Sequence, residues 1–135
     1  VFLQRKLGFL RLETNIGIPE VIRSELRCRQ HGWLPEDKYK SILSSSKLNL
    51  ACSWAETFNY QVAEAALLGV PSVGSRAIPW LPLEYCVNNP NDPQEIARVG
   101  ETLLSRQGLG LGLRTHLIHW ASISNAQLRD TFEAL

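Results

Sequence analysis

The chain contains no methionine, not even at its first position. That absence makes it read as a fragment, a trimmed piece or a processed product. Cysteine is scarce. Cys28, Cys52 and Cys86 are scattered and odd in number, which argues against a disulfide scaffold and lacks metal-site spacing. An excess of one charge is missing as well: 14 Lys and Arg against 13 Asp and Glu leave a net charge of +1. Nothing in that balance makes an electrostatic case for nucleic acid or an anionic membrane. No apolar run approaches the roughly 20 residues that span a bilayer, and no signal peptide is visible. These absences fit a cytoplasmic, reduced setting. The composition that remains is 44% hydrophobic and 20% charged, which argues against disorder. At 135 residues a single domain, 1–135, with a real core is expected.

Along the chain, short apolar runs alternate with amphipathic stretches. Residues 1–12 mix apolar and basic side chains and read as a strand, and residues 13–17 as a loop. Pro19 suits a first helical position, and Ile18, Ile22 and Leu26 share a helical face, predicting a helix over 19–27. A strand near 28–31 ends at Gly32. Leu34-Pro35-Glu36-Asp37 opens another helix, with Tyr39, Ile42 and Leu43 as its apolar stripe to about Ser45. Residues 48–52 read as a buried strand. A helix from about Phe58 turns Phe58, Val62, Ala65 and Ala66 inward and stops at Gly69; a strand over 70–73 follows. Residues 75–82 form a loop and 84–87 a short edge strand. Asp92 caps a helix, with Pro93 at its first position and Glu95 completing a capping-box-like pattern. Two further helices are expected, one ending near Trp120 and one starting at Asn125. The alternation predicts an α/β layered fold with a parallel sheet. Ligands of such sheets bind beyond the carboxyl ends of the strands, the rim to which Gly32, Glu56 and Ser75 belong.

Glu56 and Glu64 carry the most information. Seven residues separate them, which puts one carboxylate in a loop before a helix and the other within that helix. A helix N-terminus offers free N–H groups and a positive dipole end, so it attracts phosphate. Carboxylates beside it accept hydrogen bonds from sugar or ribose hydroxyls. Each residue also has a plainer reading. Glu64 alone is a solvated helix glutamate, Glu56 complements the helix dipole, and Thr57 and Asn59 are capping residues. His116 and His119, three apart, have no evident third ligand for a metal, and His31 reads as structural at a strand end. Gly108-Leu109-Gly110-Leu111-Gly112 follows no strand and reads as a flexible connector, not a dinucleotide fingerprint. Trp33, Trp54 and Trp80 suit either an aromatic lining of the rim or core packing.

The segment from Glu56 to Glu64 has the E-x7-E spacing of retaining glycosyltransferases with the GT-B fold (glycosyl transferases group 1). Glu64-Ala65-Ala66-Leu67-Leu68-Gly69-Val70-Pro71-Ser72-Val73 resembles that family's "EAMALGVPVV" segment. His31-Gly32-Trp33-Leu34-Pro35-Glu36-Asp37-Lys38-Tyr39 resembles its "G-x-[LV]-P-x-E-x-[LY]" stretch, and the run from Val87 to Ala97 its "LV-x-P-x-D-P-x-x-L-A" stretch. The final helix is similar to the one that closes these proteins. The resemblance covers about residues 18–135, in order and in register. It implies a Rossmann-like parallel sheet flanked by helices, the C-terminal half of a GT-B fold, facing an N-terminal acceptor-binding domain. It implies that Glu64 holds the ribose hydroxyls of a nucleotide-sugar, and that Glu56 lies by the donor sugar and its departing phosphate as the catalytic carboxylate. Backbone N–H groups of Thr57, Phe58 and Asn59 would cradle the diphosphate or sugar, with Trp33 and Leu34 against the base. No metal and no further cofactor are implied. Two departures stand out. The family shows E-G-F-G where this chain has Glu56-Thr57-Phe58-Asn59, and its phosphate-binding Arg and Lys have no match, because Arg5 and Lys6 sit in a different context.

The leading expectation is the donor-binding domain of a glycosyltransferase, inactive without its acceptor wall. The alternative is a non-catalytic nucleotide-binding or subunit-interaction module of the same fold. A nucleotide-sugar epimerase shares that fold but fits the E-x7-E segment and the downstream cap less well.

Overall fold

In the computed structural model, residues 11–133 are described, apart from Leu26 and Gln107. Along them run β1 (Leu12–Thr14), α1 (Glu20–Arg23), β2 (Cys28–Gln30), α2 (Glu36–Ser45), β3 (Asn49–Ala51), α3 (Tyr60–Leu67) and β4 (Ser72–Ser75). A 3-10 turn (Leu83–Tyr85), β5 (Cys86–Val87), α4 (Pro93–Ser105) and α5 (Leu109–Glu133) complete the order. Every strand pair is parallel: β1 with β2, then β3, β4 and β5 side by side in chain order. The architecture is mixed α/β, with small parallel sheets flanked by helices. One sheet was expected; among the described residues there are two, of two and three strands. The strand expected within residues 1–12 lies almost wholly outside the described residues.

Local chemistry explains where the elements start and stop. The helix expected over 19–27 is a single turn, Glu20–Arg23. Ser24 Oγ donates to the Val21 carbonyl, the acceptor that the next turn would need. At the end of α3, Gly69 takes a left-handed φ of 76°. Gly69 N–H donates to Ala66 O at 3.0 Å and Val70 N–H to Ala65 O at 2.8 Å, the paired bonds of a Schellman stop. Val70 is thereby consumed by the stop, and Pro71 has no N–H to give a ladder. The next strand therefore begins at Ser72, two residues later than its apolar run suggests. Asp92 caps α4 as expected, accepting from the N–H groups of Gln94 and Glu95. Glu95 does not return the capping-box bond. Its carboxylate accepts from the N–H groups of Asn88 and Asn89, each at 3.0 Å, and so closes the turn after β5.

The two C-terminal helices expected from the sequence are one, Leu109–Glu133. Between the two expected helices the chain stays helical, and Ser122 Oγ there donates to Ile118 O at 2.9 Å. The glycine run is not a connector either. Gly108 has φ 84°, while Gly110 is inside α5 and buried. A Cβ on Gly110 would stand 1.7 Å from the carbonyl oxygen of Gly69. Glycine there lets α5 touch the backbone that ends α3. Around that contact Val62, Ala66, Val73, Trp80, Tyr85, Leu113 and Leu117 form the main core. Trp80, 1% exposed, is its largest member. Asn49 is buried but satisfied: its amide donates to Ser72 Oγ at 3.1 Å and its oxygen accepts from Gln61 at 2.8 Å, which ties β3 to β4 and α3.

Candidate functional site

The connection from β3 to α3 carries the E-x7-E spacing. In a parallel β-helix-β unit it leaves the carboxyl end of its strand, the side where α/β sheets bind ligands. The connection is anchored rather than loose. Ser75 Oγ donates to the Ser53 carbonyl, Ser53 Oγ donates to Ala55 O, and Trp80 Nε1 donates to Phe58 O at 2.6 Å. The Phe58 ring lies 5.8 Å from that of Trp80 and 6.0 Å from that of Trp120, centroid to centroid. The turn into α3 is thus nailed to the core by both the backbone and the ring of one residue.

Asn59 is the hinge of this turn. Its φ is 62°, a left-handed conformation that asparagine tolerates far better than other side chains. Its side-chain oxygen accepts from Val62 N–H at 3.0 Å, capping α3. Among the described residues, the backbone N–H groups of Thr57, Phe58 and Asn59 make no hydrogen bond within the fold. They remain available at the positive end of the helix.

The two carboxylates sit in different surroundings. Glu56 is half-buried in the loop and forms no ion pair among the described residues. Glu64 is just over one turn into α3, also half-buried, and its Oε2 accepts from the Tyr39 hydroxyl at 2.9 Å. Burial, then the hydrogen bond and the charge of Glu64, push the Tyr39 phenol up to about 12. At neutral pH Tyr39 is a fixed donor, one Glu64 oxygen is held, and the other is left to accept. Glu64 and Phe58 also border an apolar groove of about 310 Å³ between α3 and α5, with Tyr60, Leu67, Leu117 and Ile118.

The remaining expected residues fall elsewhere. Trp33 projects into solvent, 97% exposed, and Trp54 is 64% exposed; of the three tryptophans considered for the rim, only Trp80 packs in the core. Leu34 is half-buried and lines a separate cleft of about 530 Å³ between β2 and α2. Leu34 and Glu64 are still linked through α2, which begins just after Leu34 and delivers Tyr39 to Glu64. His31 is structural, its Nε2 2.6 Å from Glu13 Oε2. His116 Nε2 faces the Trp80 carbonyl at 2.8 Å and therefore donates to it, while His119 is exposed. Among the described residues no group of three or more His, Cys, Asp or Glu is placed to hold a metal ion. The half-buried Cys52 thiol is pushed up to about 11, by burial first and then by the neighbouring Cys86 and Glu95, so it is protonated at neutral pH. Sequence reasoning missed Tyr39 as the partner of Glu64. It counted only as apolar stripe, and no local signal announces a partner 25 residues away.

No helix among the described residues is long and apolar enough to cross a membrane. Compared with protein-family models, with curated proteins and with solved structures, the chain finds no match.

Proposed function

We propose that this chain is the donor-binding part of a retaining glycosyltransferase. Such an enzyme moves a sugar from a nucleoside-diphosphate sugar to a hydroxyl acceptor. The observation that carries this reading is the β3–α3 turn. Three unused N–H groups at a helix start stand between a loop carboxylate and a helix carboxylate, beyond the end of a parallel strand. In this role Thr57, Phe58 and Asn59 offer backbone N–H to the diphosphate or sugar. Glu64, steadied by Tyr39, accepts from the ribose hydroxyls with its second oxygen. Glu56 lies by the donor sugar. In the transfer, the bond from the anomeric carbon to the diphosphate oxygen breaks. The acceptor oxygen bonds that carbon on the same face, and its proton goes to the departing diphosphate. Fixed N–H dipoles aimed at the leaving group would stabilise the charge that develops there.

Two further points support the reading. The positive φ at Asn59 falls where the resembled motif has its second glycine, a residue type that takes such a φ without strain. The strand order also fits. A doubly wound sheet runs 3-2-1-4-5-6; the β1–β2 pair suits its 3-2 flank and the β3–β4–β5 run its 4-5-6 flank. The order is compatible with the Rossmann-like half of a GT-B fold, in which a further strand would join the two flanks. The whole enzyme needs an acceptor-binding wall from an N-terminal domain or a partner subunit.

A second reading, a non-catalytic nucleotide-binding or interaction module, draws on one observation. The Asn59 side chain already takes one of the helix N–H groups, that of Val62. Calorimetric titration with UDP, GDP and ADP tests both. Binding of one nucleotide that weakens at least about tenfold in Glu64→Ala, roughly 1.4 kcal/mol, supports donor binding and names the base. Binding that Glu64→Ala leaves unchanged favours the module. No binding of any of the three removes the donor reading.

A further inference from the structure

The cleft between β2 and α2 has a chemistry that donor binding at the β3–α3 turn does not use. Arg29 and Lys38 line it, and among the described residues neither has a carboxylate partner. Near them in the chain, Glu13 is engaged by Arg11 and His31, Glu20 by Arg23 and Glu36 by Lys40, while the exposed Asp37 beside Lys38 forms no ion pair among the described residues. No acidic side chain lines the cleft. Gln30 contributes an amide donor, since Arg23 at 2.6 Å occupies its oxygen and its nitrogen remains. Ser41 contributes a hydroxyl. The first turn of α2 carries Lys38 together with Glu36 and Asp37 and has no side-chain cap, so its N–H groups are free although its own carboxylates offset part of the dipole. Leu34 and Ile42 supply an apolar wall to the same cleft.

Two uncommitted cations with neutral donors and no carboxylate select an anion. An arginine fork and a lysine lining one cleft suit a phosphate in particular. The apolar wall and a volume of about 530 Å³ leave room for more than a bare ion, because ligand clefts typically run from about 300 to 1,000 Å³. We propose that this cleft binds a phosphate monoester whose uncharged part is planar or apolar. Arg29 and Lys38 hold the phosphate, and Leu34 and Ile42 pack on the body. The site takes up Leu34, which the family resemblance sets against the base, and it requires neither Glu56 nor Glu64.

The test is a two-dimensional NMR titration of the whole 135-residue chain with phenyl phosphate, inorganic phosphate and phenol. Saturable shifts at the amides of Arg29, Lys38 and Ser41 are expected, with phenyl phosphate binding tighter than phosphate and phenol not saturating. Arg29→Ala and Lys38→Ala should each weaken phenyl phosphate at least about threefold, as befits partly exposed charge-assisted contacts, and the double variant should abolish saturation. Both side chains are exposed, so these variants should fold. Glu64→Ala should leave the binding intact, which separates failure of this site from failure of the donor site. Unchanged affinity in the double variant, phenol binding as well as phenyl phosphate, or loss of binding in Glu64→Ala would overturn the proposal.

Discussion

The two sheets are held by different forces. Around β3, β4 and β5 the chain buries apolar side chains completely: Val62, Val73, Val87 and Leu113 have no exposed surface, and all four residues of β4 are buried. Around β1 and β2 no described side chain is buried; β1 is half-buried throughout and β2 mostly exposed. There the contacts are polar: Glu13 between Arg11 and His31, and Arg23 on Gln30. Burial would weaken the acidity of Glu13, but the hydrogen bonds from His31 and Arg11 outweigh it and lower its pKa. Solvent-exposed contacts such as Arg23 on Gln30 contribute little each and of these contacts only the Glu13–His31 pair is part-buried, whereas a fully buried aliphatic side chain contributes about 1.5–3 kcal/mol. The three-stranded part therefore carries the stability and presents the E-x7-E turn on a rigid frame. The two-stranded part carries the basic cleft on a lighter one.

The sharpest test of that contrast is a matched pair of glycines. Gly110→Ala drives a Cβ into backbone atoms of Gly69 and Val70, and no side chain is there to yield. A loss of about 3 kcal/mol or more is expected on chemical denaturation. Gly17→Ala, whose Cβ would meet nothing nearer than Gln30 Nε2 at 4.0 Å, should change stability by no more than about 0.5 kcal/mol. Equal losses would break the comparison. Native-state hydrogen exchange comes next. Amides of β4 should exchange only on global unfolding. Those of β1 and β2 should exchange at least about a hundredfold faster through local opening. Matching protection in both sheets would show a single cooperative unit.

Tyr39→Phe probes the bond that joins α2 to α3. It should cost about 1 kcal/mol, the usual net worth of one hydrogen bond, and weaken any nucleotide that uses Glu64. The sign with pH follows from the raised phenol. Its stabilisation is complete below the ordinary tyrosine value of 10.0 and disappears as pH rises through about 12. Wild type should therefore lose stability across that window more steeply than the variant does, as followed by urea melts at stepped alkaline pH. The smallest effect is expected for Glu95→Gln. The N–H groups of Asn88 and Asn89 hold this carboxyl below its ordinary 4.5. Its contribution is present above that value and is lost as pH falls through the lower, folded one. The variant should be less stable than wild type at neutral pH and converge with it in acid; a gap that persists at low pH would refute the assignment.

Much of the fold was legible in the chain because its signals are local. Pro35 with Glu36 and Asp37 marks the start of α2, Asp92-Pro93 marks α4, and Gly69 stops α3, each through atoms within a few residues. The alternation of short apolar runs with amphipathic stretches gave the parallel α/β class. The misses share one cause. Gly110 looked like a connector because its purpose, contact with the Gly69 carbonyl, lies 41 residues back. Glu95 looked like half of a capping box until the turn after β5 supplied two better donors. Tyr39 looked merely apolar, and Trp33 looked like lining although it faces water.

The sequence by itself determined the class of the fold, most helix starts and stops, and the spacing that sets Glu56 and Glu64 on either side of a helix start. These depend on backbone conformation and caps, which neighbouring residues control. Only the tertiary structure decided that α5 is one helix seated on α3, that Tyr39 holds Glu64, and that Arg29 and Lys38 share a cleft with no acid in it. Those facts depend on which distant surfaces exclude water together, and no stretch of a few residues encodes that.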